Sequence, residues 1–256
     1  MSKFADKLRS LSKSSSAPMG FHPAVSEAKG PSMLLIVGLS ETRLKEARAV
    51  ADIAADAGLI VSEGIGAKTV RQVVETVGSV PLGVFVKGMQ EKEIDELVSL
   101  GCDFVVFDIG GAATILSRKE VGRFLMIEPS LDQGLVRSIN SFEVDGVLIS
   151  GGGDSAMTVE RLLACRRFVE LLEKPVVMML PSVVTKEELT SLWHAGVDGV
   201  VSASTQSTEV VTGLKKMLGD LPKRAGNRRA TAGVMLPRLG GDVGDEEHEQ
   251  EEKIQP

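Results

Sequence analysis

Tyrosine is absent from this sequence, tryptophan occurs once, and aromatic residues make up only 4% of its 256 positions. That scarcity argues against stacking on bases or sugars, which needs aromatic platforms. Histidine occurs three times. His22 and His248 lie towards the chain ends, and His194 falls on a predicted helix far from the expected site, so no Ser–His–Asp or Cys–His arrangement assembles from the core. The two cysteines, Cys102 and Cys165, lack metal-ligand spacing and read as buried thiols of a reducing compartment, which makes the cytoplasm the expected location. No apolar run approaches the ~20 residues that cross a bilayer, and no secretion-type apolar stretch opens the chain. The formal net charge of −6 is opposite in sign to that of a nucleic-acid binder.

What the sequence does have is 43% hydrophobic content, arranged in short continuous runs. These are Met33–Val37, Leu59–Ser62, Leu82–Val86, Phe104–Phe107, Leu125–Ile127, Val147–Ile149, Val176–Leu180 and Gly199–Ser202. Runs without polar alternation fit strands buried on both faces. Helical patterns lie between them at Glu41–Ala57, Ala67–Val77, Glu91–Leu100, Thr158–Leu172, Lys186–Ala195 and Glu209–Leu218. Repeated strand–helix units give a parallel sheet with right-handed crossovers, and eight of them predict an α/β fold closed into a (β/α)8 TIM-type barrel over residues 32–219. A doubly wound open sheet is the alternative. Gly58, Gly101 and Gly196 read as glycines that end a helix just before a strand.

Residues 1–31 form a leader in which Phe4, Leu8 and Leu11 share one helical face amid Lys3, Lys7, Arg9 and Lys13. The expectation is a short amphipathic helix capping the barrel floor. Residues 220–256 run from basic to strongly acidic, a pattern that predicts a solvated, disordered tail. The apolar Val234-Met235-Leu236-Pro237 within it could dock on the barrel or on a protein partner, a solvated tail being the usual case. The helices show no self-complementary stripe, so formation of a homo-oligomer stays open.

Five ionisable residues follow five consecutive runs: Glu63, Lys87, Asp108, Glu128 and Asp154. Barrel enzymes build their sites from such positions, whereas packing alone has no need of charge there; the structural alternative is an ion-pair ring plugging the barrel mouth. Glu128 and Asp154 follow adjacent predicted strands about 5 Å apart, so both carboxylates reach one hard cation, Mg²⁺ or Mn²⁺. Lys87 suits an anionic substrate group as a point charge. A Schiff-base role is weaker, because neighbouring carboxylates favour its charged form. Gly151, Gly152, Gly153 and Ser155 form a turn that lets backbone approach a ligand, and Ser202, Ser204, Thr205 and Ser207 either cap the last helix or hold a phosphate. The Leu180-Pro181-Ser182 exit lacks the glycine-rich turn expected of a flavin phosphate site.

Met126-Ile127-Glu128, together with Val144-Asp145-Gly146-Val147-Leu148-Ile149-Ser150-Gly151-Gly152-Gly153-Asp154-Ser155, resembles the class II 2-keto-3-deoxy-sugar-acid aldolase and citrate lyase beta-subunit family. Lys174-Pro175 through Gly196-Val197-Asp198-Gly199-Val200 fits the same family's strand 7 to strand 8 spacing less specifically. The resemblance implies that Glu128 and Asp154 hold Mg²⁺ or Mn²⁺, that a 2-oxo acid binds as substrate, and that its enolate is stabilised by the metal. It further implies that Lys87 stands where the family has an arginine. Gly64 follows Glu63 where the family's aldolases carry a histidine base; on this reading Glu63 or Asp108 is expected to carry the proton or to hold a metal-bound water. Val84-Phe85-Val86-Lys87-Gly88 and Val197-Asp198-Gly199-Val200-Val201 are similar to stretches of flavin-dependent nitronate-oxidising barrels, a second enzyme reading. A barrel without catalysis, serving assembly or ligand sensing, is the reading from a different class.

Overall fold

The eight apolar runs form eight parallel strands: β1 Leu34–Leu39, β2 Ala57–Ile60, β3 Leu82–Phe85, β4 Phe104–Asp108, β5 Gly122–Ile127, β6 Gly146–Ile149, β7 Val176–Met179 and β8 Gly199–Val201. In the computed structural model each strand pairs with its successor and β8 returns to β1, with Leu34 opposite Gly199 and Ile36 opposite Val201. The sheet is therefore a closed (β/α)8 barrel, and the open doubly wound alternative is excluded. The structure describes residues 2–13, 31–40, 47–61, 65–151 and 156–222. Glu63, Gly152, Gly153, Asp154, Ser155, His22, His248 and the tail from residue 223 lie outside them. No helix among the described residues is long and apolar enough to cross a membrane.

The helices are α1 Lys3–Lys13, α2 Ala47–Asp52, α3 Ala67–Val77, α4 Glu91–Ser99, α5 Gln133–Ser138, α6 Val159–Leu171, α7 Lys186–Ala195 and α8 Thr208–Gly219. Capping boxes start two of them, Gln90 with Glu93 on α4 and Thr185 with Glu188 on α7, each pair satisfying otherwise orphaned backbone donors. Between β4 and β5 only a 3₁₀ turn, Ala113–Ser117, takes the place of a full helix. Arg118 fastens that connection by ion pairs to Asp95, Glu91 and Glu120.

Two details of the second unit differ from the sequence expectation. The helix expected to run to Ala57 ends at Asp52, and the strand begins at Ala57 rather than Leu59. Ala54 turns the chain with a left-handed φ of 54°, and the Asp56 carboxylate accepts the Leu35 N–H at 3.0 Å. Helix propensity in this alanine-rich stretch yields to that tertiary hydrogen bond. Gly58 consequently lies inside β2 and ends no helix, whereas Gly101 and Gly196, both at φ 96°, do occupy left-handed turns after helices.

Strand alternation divides the core in two. Outward residues such as Leu35, Val105 and Val147 pack under the helices, while Leu34, Ile36, Leu59, Phe104, Phe124 and Leu148 fill the barrel interior. Helix α1 enters that interior from below. The Phe4 ring lies 4.7 Å from Phe104 and 5.3 Å from Phe124, and Leu8 is fully buried. Glycines make the room: a Cβ on Gly83 would sit 2.1 Å from the Phe104 ring, and one on Gly146 2.7 Å from Phe124.

The floor carries a fourfold repeat. Asp56, Asp103, Asp145 and Asp198 immediately precede the four even strands, and each donates its N–H to a carbonyl of the preceding odd strand at 2.7–2.9 Å. Three of the carboxylates also accept an N–H from that strand: Leu35 to Asp56, Arg123 to Asp145 and Val176 to Asp198. Asp103 is used differently. It accepts the Ser2 hydroxyl and the Lys3 and Phe4 N–H groups, at 2.7, 2.7 and 3.0 Å, so one carboxylate caps α1 from a distant part of the chain. Lys7 reaches Asp56 and Arg9 pairs with Asp145, so three of the four aspartates hold the same helix. The Val144-Asp145 and Val197-Asp198 phrases thus act at the stability face of the barrel, away from any site at its mouth.

Cys102 and Cys165 are both buried and unpaired. Burial pushes each thiol up to about 12, so both are protonated and poorly nucleophilic at neutral pH.

Candidate functional site at the barrel mouth

The same alternation that fills the barrel sets which side chains face its mouth. Phe85, Val106, Met126 and Leu148 point inward on β3 to β6. Two residues further along those strands stand Lys87, Asp108, Glu128 and Ser150. A cavity of about 360 Å³ opens here, within the size range of small-molecule sites. Its floor and walls are Leu59, Phe85, Val106, Met126, Leu148 and Met179. Its polar atoms come from Ser150 and Gly151 after β6, Ser182 after β7, and Ser204 and Thr205 after β8.

Glu128, exposed just beyond β5, accepts a 2.7 Å hydrogen bond from the Ser150 hydroxyl. The β5–β6 register places them side by side, since Met126 pairs with Leu148. Asp108 ends β4, and its Oδ1 accepts the Gly110 N–H at 3.0 Å, bracing its own turn. Lys87 is exposed in the turn after β3. Asp108 and Glu128 therefore find hydrogen-bond partners in Gly110 and Ser150, and an open cavity remains beside them. Among the described residues no group of three His, Cys, Asp or Glu is placed to hold a metal ion.

The four hydroxyls after β8 divide between structure and site. Ser202 Oγ accepts the Gly38 N–H at 3.1 Å, closing the β8–β1 seam. That approach requires glycine, because a Cβ on residue 38 would lie 2.4 Å from the Ser202 carbonyl oxygen. Ser207 caps α8 through the Val210 N–H. Ser204 and Thr205 line the cavity, and Gln206 ties their loop to the Ser182 carbonyl at 2.8 Å. Ser150 and Ser182 appeared in the sequence only within longer phrases and were not assigned to a site. The signal for Ser150 was present: it is a polar residue in phase with inward-facing Leu148 at the end of a strand.

No family model matches the sequence, and no curated protein matches it. Solved structures do match. A variant of the tryptophan synthase alpha-subunit from Pyrococcus furiosus aligns at TM-score 0.56 with 16% identity, over 75% of this chain and 98% of that one. A protein from Aquifex aeolicus VF5 aligns at TM-score 0.58 with 15% identity, over 86% and 98%. A variant of FabK from Thermotoga maritima aligns at TM-score 0.51 with 16% identity, over 68% and 62%. At these identities the likeness shows the TIM-barrel fold and leaves the chemistry to be argued from the site.

Proposed function

We propose that this barrel is an enzyme of the carbon–carbon lyase type that binds a small 2-oxo acid in its mouth cavity and acts through the enolate. The observation that carries this reading is the small, largely apolar chamber with the Glu128 carboxylate held at its rim by Ser150. Apolar walls exclude water and strengthen every electrostatic interaction inside. Lys87, at the mouth, draws the carboxylate of the acid as a point charge. The hydroxyls of Ser204 and Thr205 offer donors to its oxygens from the opposite rim. Asp108 is the described carboxylate suited to carry the proton, with Glu63 as the second.

The family resemblance adds a divalent cation, Mg²⁺ or Mn²⁺. Glu128 suits that role as a hard oxygen donor at the mouth with Oε2 steadied by Ser150. Its implied partner, Asp154, lies outside the described residues. Such an ion, when bound, supplies Lewis acidity towards the enolate oxygen.

The test is calorimetric titration of metal-stripped protein with Mn²⁺ and Mg²⁺, with and without oxalate. Binding should tighten in the presence of oxalate and fall at least about tenfold in Glu128→Gln and Asp154→Asn, the loss typical of a disturbed metal ligand shell. Unchanged affinity in both variants removes the metal-assisted enolate reading.

A further inference from the structure

Ser150 is 7% exposed, yet it lines the mouth cavity. Its N–H continues the sheet ladder to the Ile127 carbonyl at 2.9 Å, so the alternation that turns Leu148 inward holds one step further. Its hydroxyl has a single proton. A carboxylate only accepts hydrogen bonds, so the 2.7 Å contact with Glu128 Oε2 commits that proton to Glu128. The oxygen is left with lone pairs and no proton to offer, and the charge-assisted bond behind it raises its acceptor strength. Around it the wall is apolar: Met126, Leu148 and Met179.

We propose that Ser150 is a specificity-determining acceptor: it selects ligands that carry an O–H or N–H donor against an apolar body, and Glu128 fixes that polarity by holding the serine proton. This rests on the reading that the mouth cavity is the binding site and not on oxo-acid chemistry; a 2-oxo acid, whose carboxylate only accepts, must seat that group towards Lys87, Ser204 and Thr205 and away from Ser150. A ligand lacking the donor leaves the buried oxygen unpaired, which is the costly case for a polar group out of water. Removing Glu128 while keeping Ser150 frees the hydroxyl to donate as well as accept, so the discrimination against acceptor-only ligands is lost although the serine remains.

The experiment compares phenol with fluorobenzene, a pair of similar size that differs in the donor, titrated into the full-length protein by NMR. The readout is the ratio of their dissociation constants, which cancels effects on the cavity as a whole. Wild type should favour phenol, and the ratio should drop about five- to tenfold in Ser150→Ala, the effect of one hydrogen bond. Glu128→Ala should keep most of the phenol preference, because the freed hydroxyl still accepts, and should gain affinity for benzaldehyde, which offers only an acceptor. Fluorobenzene affinity that stays within about twofold across the three proteins reports an intact cavity, a change small against one hydrogen bond. A ratio unchanged in Ser150→Ala overturns the proposal, as does a wild-type protein that binds neither compound. Oxalate titrated together with Mg²⁺ into the wild-type protein reads the oxo-acid assignment separately. If oxalate fails to bind while the phenol ratio behaves as described, the enolate reading falls and the Ser150 assignment stands.

Discussion

Phe4→Ala lowers the free energy of unfolding by about 3–5 kcal/mol, the range for truncating a fully buried phenylalanine. Phe4 is 2% exposed and lies against Phe104 and Phe124 within the barrel interior. The neighbours cannot collapse into the space, because they sit on strands fixed by ladder hydrogen bonds on both sides. The helix is held from outside the cavity as well, by the Asp103 carboxylate on its first N–H groups and by Lys7 and Arg9 on Asp56 and Asp145. The truncation thus leaves a void rather than releasing the helix. Urea denaturation of the two proteins measures the difference. A loss below about 1 kcal/mol, the scale of surface substitutions, would mean that α1 does not complete the barrel core.

Asp145→Ala is expected to cost a similar amount, about 3–5 kcal/mol, because it strands a buried guanidinium. Arg123 is 8% exposed and Asp145 6%. The carboxylate accepts from the Arg123 backbone N–H at 2.9 Å and from its Nε at 3.3 Å, while Arg123 Nη1 donates to the Leu116 carbonyl at 2.7 Å. Arg9 of α1 also pairs with Asp145, so its removal loosens the helix at a second point. Combining Asp145→Ala with Arg123→Met should recover much of the loss, since the guanidinium is then gone. Denaturation of the two single variants and the double variant measures this. Strict additivity of the two single effects would contradict a coupled buried pair.

Much of the fold was legible because parallel strands buried on both faces must be short apolar runs, and all eight runs became strands. Helices Ala67–Val77 and Lys186–Ala195 were readable to the residue, since a Gly–helix–Gly frame marks the first and a Thr185–Glu188 capping box the second. The helix around Ala54 was misjudged for a physical reason: its end is set by Asp56 reaching Leu35 on another strand, which no local pattern records. The site was legible in part. Lys87, Asp108 and Glu128 were read from strand ends and stand at the mouth without lining the cavity, whereas Gly151 and Ser204, read from the turn after β6 and the loop after β8, line it. Ser150 was named only within the family phrase and not as a site residue, because its role shows only once its phase with Leu148 and its partner Glu128 are known. The even-strand aspartates escaped for a different reason. Charges at strand beginnings draw less attention than charges at strand ends, and two of the four lay in phrases attributed to a family pattern.

The most direct test of the mouth cavity as the reaction chamber uses the methionines as reporters. Met126 and Met179 line the cavity, whereas Met33 lies in the outer core and Met217 packs against it from α8. With ¹³C-methyl methionine in the intact protein, oxalate added together with Mg²⁺ should shift the Met126 and Met179 resonances and leave Met33 and Met217 in place. Shifts confined to Met33 and Met217, or no shift at saturating oxalate, would contradict a 2-oxo-acid site at the barrel mouth.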